Sequence, residues 1–338
     1  MKHLNVALFV PHMGCPHRCV FCDQNAISGA APVTPEQITA ACDIALKNVR
    51  PGDGSEIAFF GGSFTAIDRN VQRMCLEPAA PYLKRGFSGI RVSTRPDAIN
   101  EDILSFLLSF GVTAVELGAQ SMDDSVLQKN GRGHTAADTV RAAGLIKQAG
   151  ISLGLQMMTG LYGSTPQTDL ATAEALAALE PSTVRIYPTV VLRGTALERL
   201  YERGVYVPPT LQSSVQSCAA MLRLFHGRGI PVIRLGLHAG GDVPGSYVAG
   251  PYHPAFRELC EAHIYKEETE RLLAGAPPGA YTLLVGDGEI SKAVGQKRSN
   301  LLYFEKNGYR LKVRAQAGVA PYAPVLYREP IERKPACT

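Results

Sequence analysis

Apolar runs alternate with segments of helical periodicity through the first half of the chain. The runs are rich in Val, Ile, Leu and Phe, and they predict strands at residues 4–10, 56–60, 89–94, 113–118, 151–157 and 183–187. Helices are predicted between them at residues 35–49, 68–85, 101–110, 135–149 and 166–179. Because parallel neighbours need crossover connections, this alternation predicts an α/β fold with a parallel sheet, an open or partial barrel.

Folds of this kind place their active sites at the carboxyl ends of the strands. Glycine and polar residues follow the predicted strands at those ends, where the rule requires them. They include Gly61, Gly62, Ser63, Ser93, Gln120 and Gln156. Arg132 lies between two glycines in a turn after the fourth strand, which argues against an ordinary surface cation.

The most informative stretch is Cys15-Pro16-His17-Arg18-Cys19-Val20-Phe21-Cys22, which follows the first strand. The spacing Cys-x3-Cys-x2-Cys lets one loop wrap three thiolates around one inorganic cluster. A four-iron cluster normally takes four cysteine ligands, so three would leave one iron open to a ligand. An open iron is a position at which chemistry can occur.

Two other interpretations of the loop stay open on its residues alone. It could hold a structural zinc ion, with His12 or His17 as a fourth ligand, although no second Cys-x2-Cys pair occurs in the chain. Its cysteines could also be buried small apolar residues, but Pro16-His17-Arg18 makes a poor core segment. The remaining five cysteines are isolated, and we expect them to be reduced structural thiols.

Composition and charge narrow the class of protein. The 338 residues are 46% hydrophobic and 19% charged, as in ordinary globular domains, and the net charge of +4 does not by itself indicate a nucleic-acid partner. The first apolar run is too short for a signal peptide or a membrane span, and no later run approaches that length. We therefore expect a cytoplasmic protein without a membrane partner.

The cysteine loop, its preceding strand and Gly61-Gly62-Ser63 together resemble the radical S-adenosylmethionine (SAM) superfamily. The resemblance implies a partial (β/α)6 TIM-like barrel and a [4Fe–4S] cluster bound by Cys15, Cys19 and Cys22. It also implies that the open iron binds SAM, which is cleaved reductively to a 5′-deoxyadenosyl radical. A reductant such as flavodoxin or ferredoxin would supply the electron.

Carried over by position, the resemblance makes Phe21, Gly62, Ser63, Gln120 and Arg132 SAM contacts. The amide and guanidinium groups would suit a ribose and a carboxylate, and Arg is the better carboxylate ligand because it binds in a bidentate manner. Two positions depart from the family. Relatives often have glutamate where Ser93 stands and aspartate where Gln156 stands, so these two SAM contacts must differ here.

Within the superfamily, the motifs are most similar to the catalytic subunit of Elongator, which modifies wobble uridine in tRNA. Glu116-Leu117-Gly118-Ala119-Gln120-Ser121, followed by Gly131-Arg132-Gly133-His134-Thr135, resembles both this subunit and the oxygen-independent coproporphyrinogen III oxidase. Three further stretches favour the Elongator subunit: Phe59-Phe60-Gly61-Gly62-Ser63-Phe64, Ser93-Thr94-Arg95-Pro96-Asp97 and Ile186-Tyr187-Pro188-Thr189-Val190-Val191-Leu192-Arg193-Gly194-Thr195. The resemblance covers about residues 5–235 and lacks the acetyltransferase domain of that family. It implies an enzyme that modifies RNA. One alternative is a radical SAM enzyme acting on a small molecule such as a tetrapyrrole, as in the related oxygen-independent coproporphyrinogen III oxidase. The other is a non-catalytic metal or iron–sulfur RNA-binding module.

The chain changes character after the predicted core of residues 1–235, and residues 236–338 are predicted to form a small α/β extension. A helix is predicted at residues 254–273 and strands at 281–285, 300–304 and 309–313. Residues 281–338 hold ten Lys and Arg against five Asp and Glu, a net charge of +5. The basic residues Lys292, Lys297, Arg298, Lys306, Arg310, Lys312 and Arg314 interleave with Tyr303, Phe304 and Tyr309. This pattern suits RNA, but a solvated domain with a basic surface remains an alternative.

Overall fold

The computed structural model of the chain describes residues 5–10, 19–22, 33–237 and 243–329. It divides into two compact units, one of Met1–Ser214 with Leu224–Pro254 and one of Val215–Arg223 with Ala255–Thr338. The division predicted from the sequence, at residue 235, stays a prediction. Within the described part of the chain, no helix is both long and apolar enough to cross a lipid bilayer.

The first unit is built on one curled parallel sheet of seven strands, with the order β1-β2-β3-β4-β5-β6-β8. Its strands are β1 (Asn5–Val10), β2 (Glu56–Gly61), β3 (Gly89–Thr94), β4 (Val112–Gln120), β5 (Ser152–Thr159), β6 (Thr183–Pro188) and β8 (Val232–Leu235). Two short strands, β7 (Val191–Leu192) and β9 (Tyr247–Ala249), pair antiparallel beside it. The predicted partial TIM-like barrel is confirmed, and a seventh strand that the sequence did not reveal extends it at the β6 edge.

Helices connect the parallel strands, as the crossover rule requires. They are α1 (Pro35–Leu46), α2 (Arg69–Ala79), α3 (Glu101–Ser109), α4 (Asp124–Lys129), α5 (Ala136–Gln148), α6 (Pro166–Ala178), α7 (Ala196–Glu202) and α8 (Leu211–Gly227), and a further short helix, α9 (Val243–Ser246), follows β8. The start of α1 is set by a capping box, in which Thr34 and Gln37 each accept a hydrogen bond from the other's backbone N–H, with Pro35 in the first turn. The helices α4, α7, α8 and α9 were not predicted.

The two faces of the sheet differ in polarity because successive side chains of a strand point to opposite sides. In β3, the buried Ile90 and Val92 alternate with Arg91 and Ser93. In β6, the buried Val184 and Ile186 flank Arg185 in the same way. One face therefore forms the apolar core and the other carries polar and charged side chains; we call the latter the inner face.

In its described residues from 255 onward, the second unit contains a three-stranded sheet and three helices. They are α10 (Phe256–Leu273), β10 (Gly279–Val285), α11 (Ile290–Val294), α12 (Ser299–Lys306), β11 (Tyr309–Ala315) and β12 (Val325–Arg328). Residues 215–223 of α8 also belong to this unit. The strand order is β11-β10-β12, with β10 parallel to β11 and antiparallel to β12. The predicted helix at 254–273 and two of the predicted strands are confirmed.

The strand predicted at residues 300–304 is wrong, because this segment lies in helix α12. Asn300 and Phe304 are both buried and stand four residues apart, which is the spacing of one helical face. The Asn300 side chain donates hydrogen bonds to the backbone carbonyls of Ala262, at 2.8 Å, and Ala293, at 3.1 Å. An apolar run of five residues is too short to separate helix from strand by its period alone.

Candidate functional site

The structure places most of the predicted site residues at the carboxyl ends of the strands. Gly62 and Ser63 directly follow β2, Ser93 is the second-last residue of β3, and Gln120 is the last residue of β4. Gln156 lies in β5, three residues before its end. The expected relation between strand ends and polar residues therefore holds across four neighbouring strands.

The described part of the cysteine loop, residues 19–22, is bound to two separate elements. The Val20 N–H donates to the carbonyl of Asn130 at 3.2 Å, and the Val20 carbonyl accepts from the Leu197 N–H at 2.8 Å. Phe21 is half-buried and packs with Val20 against an apolar cluster that includes Leu197. Cys15 and residues 16–18 lie outside the described residues, so the arrangement of the three predicted thiol ligands stays a prediction.

Arg132 connects this loop to the sheet. Its Nη1 donates to the Sγ of Cys19 at 3.4 Å, and its Nη2 donates to the carbonyl of Gly118 in β4 at 2.7 Å. Gly131 and Gly133, with φ of +66° and +57°, form the tight turn that presents it. The Nε of Arg132 is buried without a hydrogen-bond partner among the described residues, so one donor remains for a ligand.

Gln120 and Gln156 extend the same group of side chains. The Nε2 of Gln156 lies 3.5 Å from the Oε1 of Gln120, whose backbone has the unusual φ of +65° where the β4–β5 register shifts. A Cβ on Gly118 would lie 2.9 Å from the Gln120 Nε2 and 3.5 Å from the Arg132 Nη2, so a side chain here would require the Gln120 amide to move. We call Cys19, Gly118, Gln120, Arg132 and Gln156 the rim cluster.

Two predicted contact residues, Phe21 and Gly62, have other surroundings in the structure. Phe21 packs in the apolar cluster described above. Gly62 donates its N–H to the carbonyl of Val10 at 2.8 Å. A Cβ on the preceding Gly61 would lie 2.6 Å from that same carbonyl oxygen. The glycine pair thus lets the end of β2 approach the end of β1, which leads into the cysteine loop.

Below the rim cluster, the inner face holds a row of four charges that the sequence analysis missed, of which Glu56, Arg91 and Glu116 are buried and Arg185 is partly buried. Arg91 Nε lies 2.7 Å from the Glu56 carboxylate, and Arg91 Nη1 lies 3.4 Å from that of Glu116. Glu116 also binds Arg185, with oxygen–nitrogen distances of 2.8 and 2.9 Å. The Arg185 guanidinium lies over the ring of Phe60, 4.9 Å from its centroid.

The row crosses from β4 to β6 because β5 has no side chain at this point. Gly154 pairs in register with Glu116 in the neighbouring strand. A Cβ on Gly154 would lie 2.8 Å from the Glu116 Cγ and 3.2 Å from the Thr183 Oγ1. The sequence carried one signal of this row, namely charged residues inside otherwise apolar strands, which are almost always paired when buried.

Two more buried titratable groups support the loops around the rim. His134 Nε2 lies 3.1 Å from the carbonyl of Ala119, and burial together with the nearby Arg132 lowers the pKa of His134 to about 4. Nε2 therefore carries the proton of a neutral ring and donates to that carbonyl. Asp169 accepts the Gly160 N–H at 2.7 Å, and burial raises its pKa to about 6.

The donors of the rim cluster fit the cofactors that the sequence implied. Sulfur is the ligand of iron–sulfur clusters, and a buried guanidinium nitrogen without a partner suits an anionic or oxygen-rich ligand. No group of three His, Cys, Asp or Glu residues that could hold a metal ion occurs within the described ranges, which exclude Cys15.

Two family models match the chain and together cover most of it. The radical SAM superfamily model matches residues 9–176, and the Radical_SAM C-terminal domain model matches residues 181–266. The chain belongs to the radical SAM superfamily. It is therefore an enzyme of that class, and its cofactors are a [4Fe–4S] cluster and SAM.

Several proteins similar to this chain have names that are more specific than the superfamily. The chain is 28% identical over 239 residues to the tRNA uridine(34) acetyltransferase of Dehalococcoides mccartyi, covering 60% of this chain and 52% of that protein. It is 30% identical over 193 residues to human Elongator complex protein 3, covering 55% of this chain and 34% of the relative. The chain spans about half the length, or less, of these relatives.

A solved structure has the same fold. The archaeal Methanocaldococcus infernus Elp3 aligns with a TM-score of 0.61 at 23% identity, covering 78% of this chain and 64% of that chain. At this level of identity, the similarity establishes the fold alone.

Proposed function

We propose that this radical SAM enzyme cleaves SAM reductively and modifies RNA, with a tRNA as its substrate. The observation that carries the proposal is the bond from Arg132 to Cys19, because it joins the cysteine loop to the polar ends of β4 and β5. The similarity to proteins named tRNA uridine(34) acetyltransferase and Elongator complex protein 3 supports RNA as the substrate class.

In this proposal, Cys15, Cys19 and Cys22 bind the cluster. Arg132 orients the loop through the Cys19 sulfur and offers its unpaired Nε to the carboxylate or ribose of SAM. The amides of Gln120 and Gln156, at the ends of their strands, hold the remaining polar groups.

The other predicted contacts act from β1, β2 and β3. Gly62 and Ser63 follow β2 beside the end of β1, where the backbone can accept the SAM ammonium group. Ser93 is half-buried on the inner face, in register with Glu116. Phe21 fixes the loop by packing against the apolar cluster around Leu197.

When bound, the cluster and SAM supply a one-electron cleavage that yields an organic radical able to abstract hydrogen from a substrate. The residues of this chain bind and orient that pair. The buried Gln120 keeps its amide in a site shielded from water, and the Arg132 Nε is likewise buried. The protein would act in the cytoplasm with a reductant such as flavodoxin or ferredoxin.

The first test measures iron and 5′-deoxyadenosine in anaerobically reconstituted, reduced protein. We expect Cys19→Ala and Cys22→Ala to lose most of the iron and the SAM cleavage. Cys42→Ala and Cys75→Ala are the matched controls, because both thiols are buried and burial raises the pKa of each to about 11. A wild-type protein that retains zinc, or that yields no 5′-deoxyadenosine, would refute the proposed chemistry.

The second test addresses the substrate. Nucleosides from the tRNA of cells lacking the protein are compared with those of wild-type cells by mass spectrometry, and we expect at least one modified nucleoside to disappear. Candidate substrates carrying deuterium then identify the hydrogen donor, because the label appears in 5′-deoxyadenosine. Label transfer from a small molecule such as a tetrapyrrole, with an unchanged tRNA profile, would replace RNA by that substrate.

A further inference from the structure

One face of the three-stranded sheet in the second unit is exposed and basic. Arg310, Lys312 and Arg314 alternate along β11 with Leu311 and Val313, and all three are exposed. Side chains two residues apart in a strand share a face. The three cations therefore form a straight row on one side of an edge strand, with a spacing of about 7 Å between neighbours.

The register extends this face over the other two strands. Lys312 pairs with Thr282 in the central strand, and Thr282 pairs in turn with Tyr327 in β12. Arg314 pairs with Leu284, which pairs with Val325. Tyr327 is 55% exposed and Val325 is 40% exposed. We call Thr282, Leu284, Arg310, Lys312, Arg314, Val325 and Tyr327 the basic sheet face.

The opposite face is covered by the unit's own helices. Tyr281, Leu283 and Val285 of the central strand are buried, alternating with the residues of the basic sheet face. Leu283 and Val285 pack with Tyr265 of α10. Since the helices occupy that side, the basic sheet face is the side left open within this unit.

The cations of this face lack ion-pair partners in the described part of the chain. Lys292, on the helical side, shows the contrast: its Nζ lies 2.7 Å from Glu289 and 3.5 Å from Glu261. On the basic sheet face, the described acidic contact is that of Glu329, which accepts a hydrogen bond from Thr282 at 2.8 Å. Three cations against one carboxylate leave a positive surface that an anionic partner would complement.

The aromatic residues differ from those the sequence suggested. Phe304 is buried, and Tyr309 packs in the same apolar cluster with its hydroxyl donating to the carbonyl of Ala276. Tyr303 has the ammonium of Lys266 over its ring, 3.9 Å from the centroid. Tyr327 is thus the aromatic residue that shares a face with the basic row.

We propose that the basic sheet face binds single-stranded RNA, so that the row on β11 contacts successive phosphates while Tyr327 stacks on a base. This inference rests on the proposed function, because it assigns a surface to the RNA substrate. An open sheet carrying cations and an aromatic ring is a common way to bind unpaired bases, whereas the smooth backbone of a duplex offers no base to stack on. The loops of a tRNA supply such segments.

The test measures the affinity of the full chain for a single-stranded RNA of about ten nucleotides by fluorescence anisotropy. The variant combines Arg310→Gln, Lys312→Gln and Arg314→Gln. Three lost phosphate contacts should weaken binding about 100-fold near 0.1 M salt. They should also make the slope of the logarithm of the binding constant against the logarithm of the salt concentration shallower by about 2. The matched control combines Lys297→Gln, Arg298→Gln and Lys306→Gln, which removes the same charge around α12 and should change affinity less than about threefold.

A second pair of variants tests the stacking role. Tyr327→Ala should weaken binding about tenfold, whereas Tyr327→Phe, which keeps the ring, should bind like the wild type. Equal losses in both would show that the ring does not stack and would overturn this part of the proposal. Production of 5′-deoxyadenosine by each variant, measured without RNA, shows that the fold and the SAM site are intact.

The outcomes separate this inference from the proposed function. If the wild type binds RNA but the triple variant and its control bind equally well, the RNA site lies elsewhere and only this inference fails. If the wild type binds no RNA and the tRNA of deletion cells is unchanged, the proposed RNA substrate fails. The assignment to single-stranded RNA would also be overturned if the wild type bound an RNA duplex as tightly as the single strand, or more tightly. It would likewise be overturned if the triple variant lost binding to phosphatidylserine vesicles but kept its affinity for RNA.

Discussion

Replacing Glu116 by Gln should destabilise the first unit strongly, although the side chain keeps its size. Glu116 is the acceptor between the buried Arg91 and the partly buried Arg185, and its own exposure is 3%. With Glu56, the row of four charges is neutral in the wild type. The Glu116→Gln substitution would leave the row with a net charge of +1. The new amide NH2 would also face the N–H groups of an arginine, which cannot accept a hydrogen bond.

The size of the effect follows from burial. Removing one partner of a buried ion pair typically costs about 3–5 kcal/mol, because the remaining charge is left without compensation. For a unit of this size, a loss of about 3 kcal/mol lowers the midpoint of thermal unfolding by about 6–12 °C. Differential scanning calorimetry of wild type and Glu116→Gln under the same anaerobic conditions measures that shift.

An exposed pair provides the matched control. Arg69 and Asp102 are also 2.8 Å apart, but their side chains are 36% and 85% exposed. Asp102→Asn should cost about 1 kcal/mol or less. A shift for Glu116→Gln no larger than that of Asp102→Asn would refute the argument. Adding Arg185→Met to Glu116→Gln should recover part of the loss, because the uncompensated charge is then gone.

Three further predictions concern the surroundings of the site and use the same thermal measurement. Gly154→Ala should destabilise by about 1–3 kcal/mol, since its Cβ would lie 2.8 Å from the Glu116 Cγ, whereas Gly144→Ala, in an open helical position, should be neutral or stabilising. His134, with its pKa lowered to about 4, binds fewer protons in the folded state, so stability should fall as the pH drops from about 6.5 towards 4, by up to about 3 kcal/mol. His134→Gln should make the stability depend less on pH over this range, and an unchanged pH dependence would contradict the prediction. Asp169, with its pKa raised to about 6, binds more protons in the folded state, so its contribution to the free energy of unfolding is lost as the pH rises through 6. Asp169→Asn should therefore stabilise the fold more at about pH 8 than at about pH 5.

The strands and their ends could be predicted because both follow from local patterns. Buried parallel strands are continuous apolar runs, and their carboxyl ends lie on one edge of the sheet whatever the details of packing. Gln120 and Gln156 could therefore be placed together from their positions near the carboxyl ends of neighbouring strands. The cysteine spacing is equally local, since Cys19 and Cys22 lie in one turn, in which the Cys22 N–H donates to the Cys19 carbonyl at 3.1 Å.

The row of charges could not be predicted in the same way, because its contacts join distant parts of the sequence. Arg91 and Glu56 are 35 positions apart, and Arg185 and Glu116 are 69 apart. Which pair forms depends on the register of four strands and on the absence of a side chain at Gly154. None of these is encoded in a short window of sequence.

The second unit shows the same limit in a short segment. Residues 300–304 are apolar enough for a strand, but the buried contacts of Asn300 with two carbonyls and the packing of Phe304 select a helix. That choice also decides which aromatic rings are available on the surface. The basic row on β11 was visible in the sequence, whereas its aromatic neighbour Tyr327 comes from the antiparallel pairing of β12.

The row of charges and the rim cluster are best understood as two layers of one inner face. Glu116 and Gly118 stand two residues apart in β4, so they point to the same side, one toward Arg185 and the other beside Arg132. The Glu116–Arg185 pair crosses Gly154 and thereby fixes β4 and β6 on either side of β5. Because Gln120 and Gln156 lie at the ends of two of these strands, their separation depends on the register that the charges hold. The cost of holding four charges on this largely buried face is thus offset by a fixed geometry at the strand ends, where the positions of the polar groups matter most for the proposed chemistry.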